Sequence, residues 1–305
     1  MLDFKVHILG CGSATPTIRH ASSAQVVEHR GKLYLIDCGE GTQLQMRRYH
    51  IHFNRLAHIF ISHLHGDHFF GLPGLLSTLG MLGCKGDITV HGPVGIDAFL
   101  NPIIENFCSD MPFGIHYNIV DTAKHELIME DRSIKVYSIP LKHRIKTCGF
   151  LFEEKEGERH IIPEMIRRYE VPDTKVGLIK RGMDFLTPDG QTIPSDKFTR
   201  PPDPVRRYAY CSDTGYTTAI VPYIEGVDCL YHDSTFLEKD LPRAEATFHS
   251  TARQAAQTAK TAHVGKLILG HFSARYRNDN LFLEEAKTIF PNTVIADEGK
   301  IFNVC

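Results

Sequence analysis

The chain has 305 residues, 42% of them hydrophobic and 23% charged, with 34 Lys and Arg against 36 Asp and Glu for a formal net charge of −2. This composition is that of an ordinary globular protein with a substantial core, and it argues against intrinsic disorder and against a protein that coats itself in nucleic acid. No apolar run approaches the ~20 residues of a membrane span. The nearest, 72–84, is broken by Pro73, Gly74, Gly80 and Gly83, and the start Met1-Leu2-Asp3-Phe4-Lys5 has no signal-peptide pattern.

In chain order, β-rich runs at 4–9, 25–28 and 33–37 precede a helical pattern at 41–49. A strand at 58–62, a helix at 72–82, a strand at 88–91, a helix at 95–106 and a strand at 134–139 follow. The stretch from about 152 to 204 is polar and irregular, ends in Arg200-Pro201-Pro202-Asp203-Pro204, and reads as an inserted arm. From 142 to 207 there are 14 Lys and Arg against 11 Asp and Glu, an excess of three that leaves −5 for the rest of the chain. Beyond the arm come strands at 207–212, 228–232, 266–270 and 293–296, and helices at 251–263 and 281–289. The first of these helices carries Ala252, Ala255, Ala256, Ala259 and Ala262 on one face, with Ser250 as candidate N-cap. Eight dispersed cysteines without a C-x-x-C pair fit reduced thiols and a cytoplasmic protein.

The chemistry concentrates in Ser62-His63-Leu64-His65-Gly66-Asp67-His68, directly after a predicted strand. Three imidazoles and a carboxylate within six residues form a metal-ligand set, and Gly66 lets the loop turn so that the two sides serve adjacent ions. Four further strands end in a His or an Asp: His143, Asp213, Asp233 and His271. Ligands gather beyond the carboxyl ends of strands in sheet-based α/β proteins. Singly, each of these four reads more readily as a cap or surface residue. Together with the His cluster, they read as one rim.

These residues resemble the metallo-β-lactamase superfamily. Leu9-Gly10-Cys11-Gly12-Ser13-Ala14-Thr15-Pro16-Thr17, Leu35-Ile36-Asp37-Cys38-Gly39-Glu40-Gly41-Thr42-Gln43, the run from His65 through Gly71-Leu72-Pro73-Gly74-Leu75, and Gly270-His271-Phe272-Ser273-Ala274-Arg275-Tyr276 narrow the resemblance to the short form of the ribonuclease Z family, tRNA 3′-processing endonucleases. The resemblance implies a four-layer αβ/βα sandwich, a single metallo-β-lactamase domain over 1–305 with residues 152–204 inserted as a tRNA-binding exosite arm. It implies two Zn²⁺ ions per subunit: His63, His65 and His143 on one, Asp67, His68 and His271 on the other, and Asp213 bridging. Asp67 would accept the proton of the attacking water, and His249 would be the catalytic histidine. Asp233, as a carboxylate partner, would set its tautomer. Arg275 and Tyr276, shortly after His271, read equally as a phosphate-pairing guanidinium with a ring for an unpaired 3′ nucleotide or as a surface arginine with a core tyrosine, and Lys180 and Arg181 of the arm would contact the RNA. The partners implied are precursor tRNA and a second copy of the chain, whose arm reaches the other subunit's tRNA; no membrane and no other protein partner is indicated.

Two departures stand out. The family commonly has Glu where this chain has Asp233, in His232-Asp233-Ser234-Thr235, and the Gly-Pro pair of the arm is missing from the segment 171–182. Other hydrolases of the superfamily (arylsulfatase, lactonase, small-molecule phosphodiesterase) share the His cluster and would not need the arm. A non-catalytic RNA-binding subunit would lack the ligands. A di-iron redox centre would favour more carboxylate than five His and two Asp provide.

Overall fold

The computed structural model describes residues 3–15, 17–108 and 110–305, so Met1 and Leu2 of the start and Pro16 of the N-terminal block lie outside the described residues. Nine strands come first: β1 (Phe4–Gly10), β2 (Ala24–His29), β3 (Lys32–Ile36), β4 (Leu56–Phe60), β5 (Ile88–Gly92), β6 (Ile115–Ile119), β7 (Leu127–Glu130), β8 (Ile134–Pro140) and β9 (Cys148–Glu154). Four two-residue strands follow, β10 (His160–Ile161), β11 (Phe185–Leu186), β12 (Thr192–Ile193) and β13 (Thr199–Arg200). The chain then adds β14 (Arg207–Cys211), β15 (Cys229–Asp233), β16 (Lys266–Gly270), β17 (Thr293–Ile295) and β18 (Ile301–Asn303).

Two seven-stranded sheets result, ordered β18-β1-β2-β3-β4-β5-β6 and β17-β16-β15-β14-β9-β8-β7. Strict alternation makes them two-faced. Phe4, Val6, Ile8, Tyr34, Ile36 and Phe60 of the first sheet join Phe150, Phe152, Tyr208 and Tyr210 of the second in one buried cluster. The rings of Phe60 and Phe150 meet edge to face at 5.4 Å, and the Tyr208 hydroxyl donates to Gln25 across the layer at 2.5 Å. The intervening residues Leu33, Leu35, Ile59 and Ile61 face outward, onto the apolar sides of the helices Leu72–Met81 and Ile96–Phe107. On the outer face of the second sheet lies the helix Ala252–Thr261, whose alanine face is fully buried. Helix, sheet, sheet and helix are the four layers of a metallo-β-lactamase sandwich.

Several elements differ from the sequence reading. The helix Ala252–Thr261 is capped by Thr251 in a capping box with Gln254; Ser250 instead donates its hydroxyl to the Thr214 carbonyl. Strand β9 is central in the second sheet, so Phe152, fully buried and opposite Tyr208, is core and not arm. The chain divides into two units, one of residues up to Glu153 with Arg206–Cys305 and one of Glu154–Val205. The second unit is not irregular: it has the helices Pro163–Arg168 and Asp173–Lys180, four short strands, and a cluster of Val171, Ile179, Phe185, Ile193 and Phe198. Nor is it basic. It holds nine Lys and Arg against ten Asp and Glu, and the excess over 142–207 comes from Lys142, Arg144, Lys146, Arg206 and Arg207 on its flanks. No helix among the described residues is long and apolar enough to cross a membrane, and all eight cysteines are free.

Candidate metal centre

The parallel strands β3 and β4 of one sheet and β14, β15 and β16 of the other end beside the same cleft, and the residues just past or at those ends carry the chemistry. Asp37 follows β3, His63 follows β4, Asp213 follows β14, Asp233 ends β15 and His271 follows β16. Asp37, Asp213 and His271 sit at φ of 55°, 59° and 64°, left-handed conformations that cost a non-glycine residue on the order of 1 kcal/mol each. That strain is tolerated because each residue is pinned by the surrounding hydrogen bonds and serves to turn its side chain back over the sheet edge. His143 comes from the loop between β8 and β9.

Two cradles converge on Asp213. In the first, His63 Nε2 is 3.0 Å from His65 Nδ1, which is 3.3 Å from His143 Nε2; Asp213 Oδ2 lies 3.2 Å from His63 and 3.7 Å from His143. In the second, His68 Nε2 and His271 Nε2 are 3.3 Å apart, with Asp67 Oδ2 at 3.4 and 3.7 Å. Asp213 turns its other oxygen, Oδ1, to this pair at 3.3 and 2.9 Å. A tetrahedral site with metal–nitrogen bonds of about 2.0–2.1 Å places its donors about 3.3 Å apart. The donor atoms therefore fit a divalent ion in each cradle, with one carboxylate oxygen of Asp213 for each.

A further set of contacts holds these donors. Asp37 Oδ2 accepts from His68 Nδ1 at 2.7 Å, the Tyr210 hydroxyl at 2.7 Å and the Ser62 hydroxyl at 2.9 Å. His63 Nδ1 donates to Ser62 Oγ at 3.0 Å, His143 Nδ1 to the Phe248 carbonyl at 3.1 Å, and His271 Nδ1 pairs with Thr235 Oγ1 at 2.9 Å. Each of these rings thus has its second nitrogen occupied and its Nε2 aimed inward, the arrangement that fixes a ligating tautomer.

The two cradles differ electrostatically. Burial holds His63, His65 and His143 below the usual imidazole range, the last two at about 4, so they offer neutral lone pairs. In the second cradle burial acts the same way but is overcome: Asp213, Asp67 and Asp37 hold His68 well above its ordinary value, and Asp213 and Asp67 lift His271 to about 10. Against their own burial, Asp67 and Asp213 are held well below the carboxylate range by those histidines. Such buried carboxylates need positive charge beside them, which a dication supplies in place of the protons.

His249 stands at the rim, half-buried, with Nδ1 2.7 Å from Asp233 Oδ2. Asp233 is anchored in turn: Oδ1 accepts the Thr235 amide and hydroxyl at 2.9 and 2.8 Å, and Oδ2 accepts the Thr214 amide at 3.2 Å. The cleft, about 390 Å³, is lined by His65, Asp67, His143, Asp213, His249 and His271 together with Ala14, Ser22, Glu40, Gly66, Phe70 and Arg144. The exposed guanidinium of Arg144 has no hydrogen-bond or ion-pair partner among the described residues.

Some site residues stand elsewhere than the sequence suggested. Gly66 does not make a tight turn; it begins the short helix Gly66–Phe69, and a Cβ on it would meet the Phe70 ring at 2.4 Å. Tyr276 is buried, its hydroxyl donating to Asp240 and accepting from the Leu237 amide, so its ring is core and unavailable for stacking on a nucleotide. Arg275 lies over the Phe236 ring at 5.4 Å and near Asp240 at 3.9 Å, and neither it nor Tyr276 lines the cleft. Lys180 and Arg181 end the helix Asp173–Lys180 in the smaller unit, with Lys180 3.9 Å from Glu158. Sequence reasoning passed over Asp37 and Arg144. The strand-end test that found Asp213 would have found Asp37 too, whereas nothing distinguishes Arg144 from other surface arginines until the cleft is seen.

Comparison with known proteins places this geometry. Family models match residues 4–81 (Anti-Pycsar protein Apyc1) and residues 198–272 (Beta-lactamase superfamily domain). Over 304 residues and the full length of both chains, this sequence is 56% identical to ribonuclease Z of Parabacteroides distasonis. It is 54% identical over 298 residues to ribonuclease Z of Porphyromonas gingivalis, covering 98% of each chain. The crystal structure of human tRNase Z, short form, superposes with a TM-score of 0.71 at 25% identity over 99% of both chains. The chain therefore belongs to the ribonuclease Z family, endoribonuclease hydrolases on the metallo-β-lactamase fold.

Proposed function

We propose that this protein removes the 3′ trailer of precursor tRNA, leaving a 3′-hydroxyl on the tRNA and a 5′-phosphate on the trailer, with two zinc ions as its cofactors. The observation that carries the reading is Asp213, whose two oxygens each face a separate cradle of histidines, beside a histidine–aspartate pair at the rim. When bound, such a metal pair neutralises a phosphodiester and lowers the pKa of water from 15.7 toward ~7.

The chain's own groups do the rest. His63, His65 and His143 would hold one ion and Asp67, His68 and His271 the other, with Asp213 offering an oxygen to each. Asp67, fixed by the Ala14 amide at 2.7 Å, orients the attacking water and takes its proton. Asp233 engages Nδ1 of His249, which leaves Nε2 as the nitrogen for the substrate. A proton held there goes to the departing 3′ oxygen of the tRNA, an effect worth on the order of 10²–10⁴ in rate. The distance of 2.7 Å means that Asp233, though shorter than the Glu common in the family, is long enough for this pairing.

Arg144, free at the cleft, supplies a guanidinium for the phosphates beside the scissile bond, the part that Arg275 and Tyr276 do not play. Lys180 and Arg181 make positioning contacts with the tRNA backbone from the smaller unit, which acts as the exosite in a cytoplasmic homodimer. The decisive assay offers zinc-loaded protein a 3′-extended precursor tRNA alongside Asp67→Ala. Cleavage just past the discriminator nucleotide, abolished by chelation and by the substitution, is the expected result. Equal cleavage by the variant, or turnover of a nitrophenyl phosphodiester but never of tRNA, overturns the reading.

A further inference from the structure

Away from the cleft residues already described, a second cluster of metal-binding side chains is buried where three separate segments meet. Cys11 follows β1, His20 precedes β2, and Glu298 lies in the turn between β17 and β18. The side chains of His20 and Glu298 are 5% and 8% exposed, and Cys11 is fully buried. Cys11 Sγ is 3.4 Å from His20 Nδ1 and 3.6 Å from Glu298 Oε1, and His20 Nδ1 is 3.1 Å from Glu298 Oε2. In a tetrahedral site with metal–sulfur bonds of about 2.3 Å and metal–nitrogen or metal–oxygen bonds of about 2.0–2.1 Å, donor separations are about 3.5 Å to sulfur and 3.3 Å between the others. The three observed separations match that figure. Glu298 counts as one carboxylate donor, so the cluster offers three, one sulfur, one nitrogen and one oxygen, and a fourth position is left for a water molecule.

The outer contacts are those of a metal site as well. His20 Nε2 pairs with Asp279 Oδ2 at 2.9 Å, the carboxylate–histidine arrangement that fixes a ligating tautomer, and Arg19 in turn holds Asp279 Oδ1 at 3.1 Å. The Ala21 amide donates to Glu298 Oε1 at 2.9 Å and orients that carboxylate. We propose that Cys11, His20 and Glu298 form a third, structural metal site, selective for a thiophilic divalent ion of the zinc class and separate from the catalytic pair. Burial and Glu298 push the Cys11 thiol well up, and hydrogen bonds to Asp279 and Glu298 outweigh burial to lift His20 to about 9. Binding therefore releases the thiol proton and the Nδ1 proton. In exchange, the ion ties the chain after β1, the segment before β2 and the β17–β18 turn together.

Cobalt(II) tests this directly. Among the described residues, no other cluster of three candidate ligands contains a cysteine, so a sulfur-to-cobalt charge-transfer band reports this site alone. The full-length chain is stripped with chelator, reloaded with cobalt, and read by near-ultraviolet absorption and metal analysis. A third equivalent of metal accompanied by the band is expected. Cys11→Ser should lose the band and one equivalent while keeping the other two; Glu298→Gln should do the same if the serine variant does not fold. Two equivalents without a band, or a band that survives in Cys11→Ser, overturns the proposal and leaves His20 as a metal-free ion-paired histidine. The readout needs no turnover, so it stands or falls independently of the tRNA reading.

Discussion

The larger unit and the Glu154–Val205 unit solve different problems. In the larger one, residues from five strand ends and one loop meet within a few ångströms, and His68, His63, His271 and His143 are fixed from behind by Asp37, Ser62, Thr235 and a carbonyl. In the smaller one the strands are two residues long, and the ion pairs, Lys180–Glu158 at 3.9 Å, Arg167–Glu164 at 3.9 Å and His160–Asp203 at 3.3 Å, lie at the surface, where such pairs contribute little. Precision of position is concentrated where charge is buried. The smaller unit has a core of its own in Val171, Ile179, Phe185, Ile193 and Phe198, and its charged groups stand outside it.

If that division holds, the largest loss comes from the shared carboxylate. Asp213→Ala removes a donor from both cradles and leaves His68 and His271 without their main counter-charge. Metal content is expected to drop by at least one ion per chain, and cleavage of tRNA and of a small phosphodiester to fall together, by roughly 10³-fold or more. Full metal content in that variant would mean the cradles are independent. Next in size is His249→Ala, a change at the rim that removes no donor from either cradle. It should lower kcat by roughly 10²–10⁴ while both ions stay bound. A matching loss of metal would reassign His249 from proton donor to structural support.

Substitutions in the smaller unit should separate the two regions. Lys180→Glu with Arg181→Glu is expected to raise KM for precursor tRNA about tenfold, to flatten its salt dependence, and to leave nitrophenyl phosphodiester hydrolysis unchanged. Arg144→Ala, at the cleft, should instead weaken both activities. Were the double charge reversal to slow the small substrate too, the smaller unit would be a support for the metal centre and not an exosite.

What could be read from sequence follows the same division. The His63–His68 cluster is local, and strand-end placement of Asp213, Asp233 and His271 follows from period-2 patterning and the topology of parallel sheets, so these needed no coordinates to locate. Strand β9 was obscured because Phe150, Leu151 and Phe152 run straight into the polar insertion, with no turn signal between them. The supposed basic excess of the arm was a boundary effect: moving the border from Arg207 to Val205, and from Lys142 to Glu154, removes five cations. The pairing of Asp37 with His68 and the burial of Tyr276 depend on contacts between residues far apart in the chain, which no local pattern encodes.

Tyr276 offers the smallest expected effect on cleavage and the sharpest test of its placement. Its ring packs edge to face on Phe282 at 5.0 Å, and its hydroxyl joins Asp240 to the Leu237 amide. Tyr276→Phe keeps the ring and deletes the hydroxyl, so the Leu237 amide loses its acceptor and Asp240 its donor. Unmade bonds of this kind cost about 1–3 kcal/mol. At about 2.1 cal/mol/K of unfolding entropy per residue, 1 kcal/mol corresponds to roughly 1.5 °C in a chain of this length, so Tm should fall by about 2–5 °C while KM and kcat for tRNA stay the same. A ring used as a stacking platform would behave differently: Tyr276→Phe would leave Tm unmoved, because a solvent-facing hydroxyl holds nothing together, and only loss of the ring would raise KM. An unchanged Tm in Tyr276→Phe therefore returns Tyr276 to the cleft, and a lowered one keeps it in the core.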